Sequence, residues 1–385
     1  MASPPNLVIF NPDQWRGDVM GHLGNPAAAT PVLDQLVSED GVSFRNAFCQ
    51  NPVCTPSRCS FMTGWYPHVR GHRTMHHMLH TECGEPNLLQ ILKAHGYFVW
   101  WGGKNDLIPG GQPLDAVCDV RYRADSAPMW QADRAAEWRG APGSDSFYSF
   151  YVGKLPHTDG YDHYHDSDWA NVLGAVEFLR HYDGQQPFCI FLSLTYPHPP
   201  YAVEEPWYSR IDRPALPPRA PAPSGWHGKP AILPGIAAGQ GLTGWTEERW
   251  RELRATYYGM CSRVDAQAGL LLDALAERGV YDDAAFFLFA DHGDFTGDYG
   301  LVEKTQNTFE DCLTHVPFVV KPPRNVAASP GIRDALVELI DFPATVYDLA
   351  GIAPEYTHFG RSITPLLQGE TAEHRDAVFC EGGRL

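Results

Sequence analysis

Residues 284–300 read AAFFLFADHGDFTGDYG, so that seven apolar residues lead directly into a loop rich in aspartate and glycine. A short apolar run that is rich in aromatic residues and bounded by turn-forming residues predicts a strand buried on both faces. The same pattern occurs in NLVIF (6–10), YFVWWGG (97–103), PFCIFLSL (187–194) and VPFVV (316–320). We interpret all five runs as strands of one sheet.

Segments with helical periodicity separate these strands. They cover residues 85–96, 166–184 and 246–279, and the last begins with Thr246 and two glutamates, a pattern typical of a helix N-terminus. Strands that alternate with helices predict an α/β fold with a central, mostly parallel sheet and helices on both faces. In such folds ligands bind at the carboxyl ends of the strands.

Polar side chains follow four of the predicted strands. They are Asp13 and Gln14, Lys104 and Asp106, His198, and Asp291 and His292. A single aspartate after a strand is most often a loop residue or a helix cap, but four such strand ends together indicate a site. Two carboxylates, an amide oxygen and an imidazole suit a divalent cation with oxygen-rich coordination, such as Ca²⁺ or Mn²⁺, better than a thiolate-rich zinc site.

Composition narrows the classes of partner. The chain has 385 residues, enough for a large core, and 29 Lys and Arg against 46 Asp and Glu give a formal net charge of −17. It contains no run rich in Lys or Arg, so we expect neither a nucleic-acid partner nor a membrane-surface partner. An anionic substrate then requires a local cluster of cations or a metal ion.

The cysteines and the first residues bear on location. Nine cysteines without a C-x-x-C pair are typical of reduced thiols rather than of disulfides or a structural zinc site. The opening MASPPNLVIF lacks the basic and apolar regions of a secretion signal, and no apolar run is long enough to span a bilayer. We therefore predict a cytoplasmic protein.

Residues 202–245 differ from the rest of the chain because they are rich in proline and glycine and show little periodicity. A long irregular segment inside a compact domain is usually a functional loop or a disordered insertion. The segment closely follows His198. We interpret it as a loop over the mouth of the pocket that shapes substrate choice, rather than as a passive insertion.

The stretch NPVCTPSRCSFMTG (51–64) leaves the role of Cys54 open. A cysteine there is a buried apolar residue, half of a disulfide, a metal ligand, a thiolate nucleophile or the precursor of a modified residue. The cysteine spacing weighs against a disulfide and a zinc site. We expect Cys59, which lies just beyond the motif, to pack in the core.

The sequence CTPSR (54–58) resembles the C-x-P-x-R signature of the sulfatase family, in which the cysteine is oxidised after translation to formylglycine. The likeness continues, in the family's order, through NLVIFNPDQWRGD, YFVWWGGKNDL, LSLTYPHPPY, FFLFADHGDFTGDYGLVEKTQNTFEDCLTHVPFVV, LIDFPATVYDLAGI and GRSITPLLQGE. It therefore covers nearly the whole chain. It implies an alkaline-phosphatase-like fold and hydrolysis of a small-molecule sulfate monoester.

The resemblance also implies roles for individual residues and partners. The metal, with Ca²⁺ preferred over Mn²⁺ or Mg²⁺, would be bound by Asp13, Gln14, Asp291, His292 and the modified Cys54. Arg58 would hold the hydrated aldehyde, and Lys104, His198 and Lys304 would contact the sulfuryl oxygens, with His198 or Lys304 protonating the leaving alcohol. A formylglycine-generating enzyme would be the partner in maturation.

Three departures from the family pattern qualify these expectations. Asp106, which we also count among the substrate-binding residues, stands where many members have a histidine that serves as the base in the elimination step. A carboxylate could take that role, but its charge would oppose an anionic substrate unless a lysine or the metal offsets it. The Asp-Gln and Asp-His pairs resemble the branch of choline sulfatases and phosphonate monoester hydrolases. We expect residues 1–369 to form the catalytic domain and residues 370–385 to begin a C-terminal subdomain that is cut short, or that a partner chain in a homo-oligomer completes.

Three hypotheses follow from the sequence. We favour a formylglycine-dependent sulfatase. The second is an enzyme of the same fold that hydrolyses phosphonate monoesters or phosphodiesters, since sulfuryl and phosphoryl groups are similar in shape. The third is an inactive homologue that only binds its ligand.

Overall fold

The computed structural model describes residues 4–123, 148–156 and 166–383. An eight-stranded central sheet has the strand order β10-β2-β9-β8-β1-β6-β3-β4. Its strands are β1 Asn6–Asp13, β2 Val42–Phe48, β3 Phe98–Gly103, β4 Val120–Arg121, β6 Phe188–Pro197, β8 Ala284–Phe289, β9 Phe318–Lys321 and β10 Gly331–Glu338. All neighbours pair in parallel except β9, which is antiparallel to β2 and β8. The predicted mostly parallel α/β sheet is confirmed.

Strands β5 (Tyr151–Lys154) and β7 (Tyr201–Val203) form a separate two-stranded parallel sheet. The five strands expected from their apolar runs are all present, whereas β2, β10 and the short strands β4, β5 and β7 were not recognised from the sequence. Strand β10 lies at the edge of the sheet and carries Arg333 and Asp334, so its residues do not form an apolar run. Edge position leaves one side of a strand in contact with solvent, which removes the signal of a fully buried strand.

The helices are α1 Pro31–Glu39, α2 Cys54–Thr63, α3 Leu88–Ala94, α4 Ser167–His181, α5 Trp207–Arg210, α6 Ile232–Gln240, α7 Glu247–Glu277, α8 Asp311–Thr314, α9 Asp341–Ala350 and α10 Thr364–Gln368. Helices α1 and α4 each pack on the long helix α7, while α2 contacts α3 and α9, and α9 contacts α10. The two groups flank the sheet. Among the described residues, no helix combines the length and apolar composition needed to cross a bilayer.

The helix starts follow from local sequence. Asp166 caps α4 by accepting a hydrogen bond from Trp169 N at 3.0 Å, and Thr246 caps α7 by accepting one from Arg249 N at 3.3 Å. The predicted cap of the long helix is therefore confirmed. Helix α2, which contains the CTPSR motif, begins at Cys54, and the preceding residue, Val53, still has an extended backbone with φ −141°.

The core is built around the central strands. Residues 7–10 of β1 and 284–289 of β8 are fully buried, and the aromatic side chains of β8 pack against those of α2 and α9. Cys59 lies in this core with 1% of its surface exposed, as expected. All nine cysteines carry free thiols in this structure.

The proline-rich segment 202–245 is more ordered than its sequence suggested. It contains α5 and α6, and the expectation of an irregular segment is wrong for Ile232–Gln240, which ends at Gly241 with φ 66°. Pro234 lies in the first turn, where a helix tolerates a residue without an N–H. The side chain of Gln240, the last residue of α6, donates to Val302 O and accepts from Val302 N. These two bonds attach the end of the helix to a residue that lies two positions before Lys304.

Candidate active site

Four adjacent parallel strands bring the predicted site residues together. In the order β8-β1-β6-β3, these strands end next to one another at the same edge of the sheet. Asp13 lies beside Pro197 in the pairing of β1 with β6, so His198 follows within the same edge. Gln14 N donates to Asp291 Oδ1 at 3.0 Å across the β1–β8 boundary. The prediction that these strand ends meet is confirmed.

Cys54 lies at the centre of this edge. Its Sγ is 3.2 Å from His292 Nε2, 3.5 Å from Asp13 Oδ1 and 3.6 Å from Lys104 Nζ, and only 1% of the residue is exposed. Cys54 is also the first residue of α2, so the positive end of that helix dipole faces the same point. Helix α2 therefore delivers residue 54 into the polar centre.

Four side chains here form a candidate metal centre. One donor atom from each of Asp13, Cys54, Asp291 and His292 lies within 4.8 Å of all the others, and all four residues are buried. His292 Nδ1 lies 2.9 Å from Gly293 O, which fixes that nitrogen as the donor and turns Nε2 toward the cluster. Two buried carboxylates with an imidazole nitrogen fit a divalent cation.

Gln14 occupies the margin of this cluster. Its side-chain amide donates to Asp294 Oδ2 at 2.5 Å, and its Oε1 accepts from Lys304 Nζ at 2.8 Å. Its φ of 72° is unusual for a residue with a side chain and follows the end of β1. The amide oxygen of Gln14 thus faces Lys304, and its role as a metal ligand stays a prediction.

Arg58 is fully enclosed and connects the two acidic strand ends. Its guanidinium donates to Asp291 Oδ2 at 2.9 Å and to Asp13 Oδ2 at 3.1 Å. Two further bonds go to Asn11 Oδ1 at 2.9 Å and to Ser193 Oγ at 2.5 Å. Burial alone would lower the pKa of Arg58, but Asp291 and Asp13 more than offset it and raise the pKa. Arg58 therefore holds both carboxylates in fixed positions.

The charges around residue 54 differ for acid and thiol. Burial would raise the pKa of Asp13, but Lys104, His198 and Arg58 outweigh burial and hold that pKa well below its usual value. Burial, reinforced by the charge of Asp13, raises the pKa of the Cys54 thiol to about 12. Near pH 7 these shifts keep Asp13 ionised and the Cys54 thiol protonated.

Lys104 bridges two carboxylates. Its Nζ lies 2.5 Å from Asp13 Oδ2 and 2.7 Å from Asp106 Oδ2. Burial would lower the pKa of Lys104, but the negative charges around it, that of Asp13 first and that of Asp106 among them, together outweigh burial and raise the pKa well above its usual value. The negative charge of Asp106, which departs from the family pattern, is thus paired with a lysine.

Lys304 and His198 contact each other beside the candidate metal centre. Lys304 Nζ lies 2.7 Å from His198 Nε2 and 2.5 Å from Glu303 Oε1. Burial, together with the charge of Lys304, lowers the pKa of His198 to about 4, so this imidazole is neutral near pH 7. His198 Nδ1 lies 2.6 Å from Pro199 O and carries the proton, which leaves Nε2 as the acceptor toward Lys304.

Several residues of the site were missed in the sequence. Asn11 and Ser193, which bind Arg58, are polar residues inside otherwise apolar strands, and that contrast is a usable signal. Asp294 accepts hydrogen bonds from Gln14 and from Tyr201 Oη at 2.7 Å. Burial raises the pKa of Asp294. Tyr201 carried no local signal, because its contact depends on how β7 packs.

The fold and the donor cluster define an α/β protein with a candidate metal centre at the carboxyl ends of its strands. The sulfatase family model matches residues 5–352. The chain belongs to the sulfatase family.

Individual relatives share this length of chain. An arylsulfatase of Clostridium perfringens is 26% identical over 98% of this chain and 81% of its own. Arylsulfatase K of Rattus norvegicus is 24% identical over 97% of this chain and 64% of its own, so the chain spans less than two thirds of that relative. The crystal structure of a phosphonate monoester hydrolase of Agrobacterium radiobacter superposes with a TM-score of 0.73 at 24% identity, over 95% of this chain and 77% of that one. This last likeness supports the alkaline-phosphatase-like fold.

Proposed function

We propose that the protein hydrolyses a sulfate monoester to an alcohol and inorganic sulfate, using a formylglycine made from Cys54 and a divalent cation, with Ca²⁺ preferred over Mn²⁺ or Mg²⁺. The observation that carries the proposal is the position of Cys54. Within the C-x-P-x-R signature it lies 3.2 Å from His292 and 3.5 Å from Asp13, inside the candidate metal centre. Membership of the sulfatase family and the arylsulfatase relatives support the reaction class.

The chemistry explains why a cysteine would be converted here. A thiolate that attacked sulfur would form a dead-end thiosulfate-type adduct. A hydrated aldehyde at position 54 supplies one hydroxyl for attack on sulfur and a second whose deprotonation later expels sulfate. The position of residue 54 at the N-terminus of α2, between Asp13 and His292, would orient that attack.

The metal would be held by Asp13, Asp291, His292 and the modified residue 54, with Gln14 as a further ligand. A bound cation lowers the pKa of a coordinated hydroxyl and neutralises charge on the transferred group. Arg58 orients Asp13 and Asp291 through one hydrogen bond to each, and two further bonds, to Asn11 and Ser193, hold the guanidinium itself in place. We propose that Arg58 acts on residue 54 through these carboxylates.

Three side chains would handle the substrate. Lys104 contacts Asp13 and Lys304 contacts Gln14, and the two lysines would provide the positive charge that a sulfuryl group requires in a chain of net charge −17. Neutral His198 accepts a hydrogen bond at Nε2 from Lys304 Nζ. We propose that this pair delivers the proton to the leaving alcohol, with Lys304 as the donor and His198 as the residue that orients it.

Asp106 would act by tuning Lys104. Its carboxylate pairs with Lys104 Nζ at 2.7 Å, so the ion pair offsets the negative charge that would otherwise oppose an anionic substrate. In this view Lys104 shares its charge between Asp13 and Asp106, so Asp106 weakens the attraction of Lys104 for an anionic substrate.

The test is a parallel assay of the purified, metal-loaded protein on an aryl sulfate, an aryl phosphonate monoester and an aryl phosphodiester. We expect the highest kcat/KM for the sulfate. A higher kcat/KM for either phosphorus ester would contradict the main proposal and support the second candidate, a phosphonate monoester hydrolase or phosphodiesterase. That candidate is supported by the Asp13-Gln14 and Asp291-His292 pairs and by the fold shared with the Agrobacterium radiobacter enzyme.

Maturation is tested separately from activity. Peptide mass spectrometry across residues 46–70, on protein made in a host with a formylglycine-generating enzyme, should show the aldehyde at Cys54. An unmodified cysteine from such a host would favour an inactive homologue. We also propose a cytoplasmic location, which the nine free thiols support. Light scattering of the purified protein tests whether it forms a homo-oligomer.

A further inference from the structure

The chain's final described residues contact two loops that lead into or out of the candidate active site. Glu381 N donates to Gln50 O at 2.8 Å, and Asn51 Nδ2 donates to Glu381 O at 2.8 Å. Gln50 and Asn51 belong to the short connection that leads into α2, which begins at Cys54. Two hydrogen bonds therefore tie the tail to the loop that presents Cys54.

The carboxylate of Glu381 binds a second loop. Its Oε1 accepts from the backbone N of His68 at 2.7 Å and lies 2.8 Å from His68 Nδ1. Its Oε2 lies 3.7 Å from Arg73 Nη2. The bond to the backbone N–H fixes the position of this loop whatever the charge state of the His68 ring.

The next residues of the tail reach the loop that carries Lys304. Gly383 N donates to Asn307 Oδ1 at 2.7 Å. Gln306 Nε2 donates to Gly383 O at 3.0 Å and to Arg73 O at 2.8 Å. Lys304 lies two residues before Gln306, so the tail connects the loop before Cys54 with the loop after Lys304.

The sequence of this segment suits its narrow path. A Cβ on Gly382 would lie 2.2 Å from Asn307 Oδ1 and 3.0 Å from Phe309 Cζ, so the Asn307 side chain, which accepts the hydrogen bond from Gly383 N, would have to shift. Gly383 has φ 141°, a conformation that glycine adopts readily and other residues avoid. Glu381 thus supplies the anchor, and the two glycines allow the close approach.

We propose that Glu381, Gly382 and Gly383 form a clasp that joins the loop before Cys54 to the loop after Lys304, and that Glu381 is a positioning residue for Lys304. The inference rests on the proposed function, because it assigns to Lys304 the sulfuryl or phosphoryl group of the substrate. The clasp acts through Gln306 and Asn307 rather than by contact with the substrate. Displacement of a binding group by about 1 Å costs up to roughly 100-fold in rate.

The test compares Glu381→Ala, Glu381→Gln and Gly382→Ala with a matched surface control. Glu277→Gln is the control, because Glu277 forms an exposed ion pair with Arg180 at 3.3 Å, and 57% of its side chain is exposed. The readouts are kcat and KM on the preferred ester, the folded fraction by circular dichroism, and hydrogen exchange of the peptide that covers residues 302–310.

We expect Glu381→Ala and Gly382→Ala to lower kcat/KM by about 10- to 100-fold and to speed exchange in residues 302–310. Glu381→Gln keeps an acceptor for His68 N and should lose less kcat/KM, while kcat/KM of Glu277→Gln should stay within about two-fold of that of the protein without substitutions. Unchanged kcat/KM and exchange in both clasp variants would overturn the proposal, as would a loss fully explained by a smaller folded fraction.

Failure of the proposed function is recognised independently. If the protein without substitutions hydrolyses none of the three esters, the proposed reaction is wrong, yet hydrogen exchange still tests the clasp. Faster exchange of residues 302–310 in Glu381→Ala and Gly382→Ala supports the clasp, and exchange equal to that of the protein without substitutions refutes the clasp.

Discussion

Arg58 offers the sharpest test of how the site is held together. Asp13 and Asp291 are both fully buried, and Arg58 pairs with each of them at 3.1 and 2.9 Å. In Arg58→Met, Asp13 keeps Lys104 at 2.5 Å, but Asp291 loses the guanidinium and keeps the backbone amides of Gln14 and His292 on one oxygen. The substitution leaves a buried charge without its main cation.

The expected cost follows from that geometry. Removal of one partner of a buried ion pair typically destabilises a protein by about 3–5 kcal/mol, because the remaining charge stays desolvated. We expect Arg58→Met to lower the free energy of unfolding by that amount in urea denaturation. Arg58→Lys keeps the charge with fewer donors and should lose less. Arg45→Met is the control, because Arg45 pairs with Asp334 at an exposed site, and it should change stability by about 0–1 kcal/mol.

Added cation gives a second readout of the same reasoning. A ligand that binds the folded state raises stability according to its concentration over its Kd. A divalent cation also neutralises Asp13 and Asp291, so titration with Ca²⁺ should recover part of the loss in Arg58→Met. Equal stability of Arg58→Met and Arg45→Met, without cation, would refute the view that Arg58 compensates the buried carboxylates.

Three further outcomes are expected. Cys54→Ala should abolish turnover, whereas Cys59→Ala, in the core, should leave kcat/KM within a few-fold and lower the urea midpoint; equal activity of both variants would contradict the role of Cys54. Asp106→Asn frees Lys104 from one carboxylate, so we expect a lower KM for an anionic ester, measured by initial rates, and an unchanged KM would argue against the tuning role. Burial raises the pKa of Asp265 to about 7, so the folded state holds its proton more tightly than the unfolded chain. The contribution of Asp265 to the free energy of unfolding should therefore fall as pH rises from about 4 to 7. In urea titrations at pH 5 and 7.5, Asp265→Asn should remove this contribution from the difference between the two pH values, and a difference equal to that of the original protein would count against the assignment.

The sequence predicted the sheet best where both faces of a strand are buried. The apolar runs of β1, β3, β6, β8 and β9 were all recognised, because burial on both sides demands nearly continuous apolar residues. Strand β10 was missed because its exposed edge permits Arg333 and Asp334. Helix α6 was missed because Pro234 and two glycines mask its periodicity.

The candidate site could be predicted in outline. Parallel strands place their carboxyl ends at one edge, so residues that directly follow β1 and β8 had to meet once the sheet was assumed. The partners of Arg58 could not be predicted in the same way. Asn11 lies 47 residues away in sequence and Ser193 lies 135 away, and their contacts depend on how α2 docks against the ends of β1 and β6.

The sequence by itself determined the family signature around Cys54, the α/β class and the set of polar residues at the strand ends, because these depend on local pattern and on chain order. The tertiary structure decided which donor atoms face one another. It turned the amide oxygen of Gln14 toward Lys304, paired Asp106 with Lys104, and laid Glu381 against loops more than 300 residues earlier in the chain. Such contacts join segments whose local sequences carry no information about each other, so packing alone fixes them.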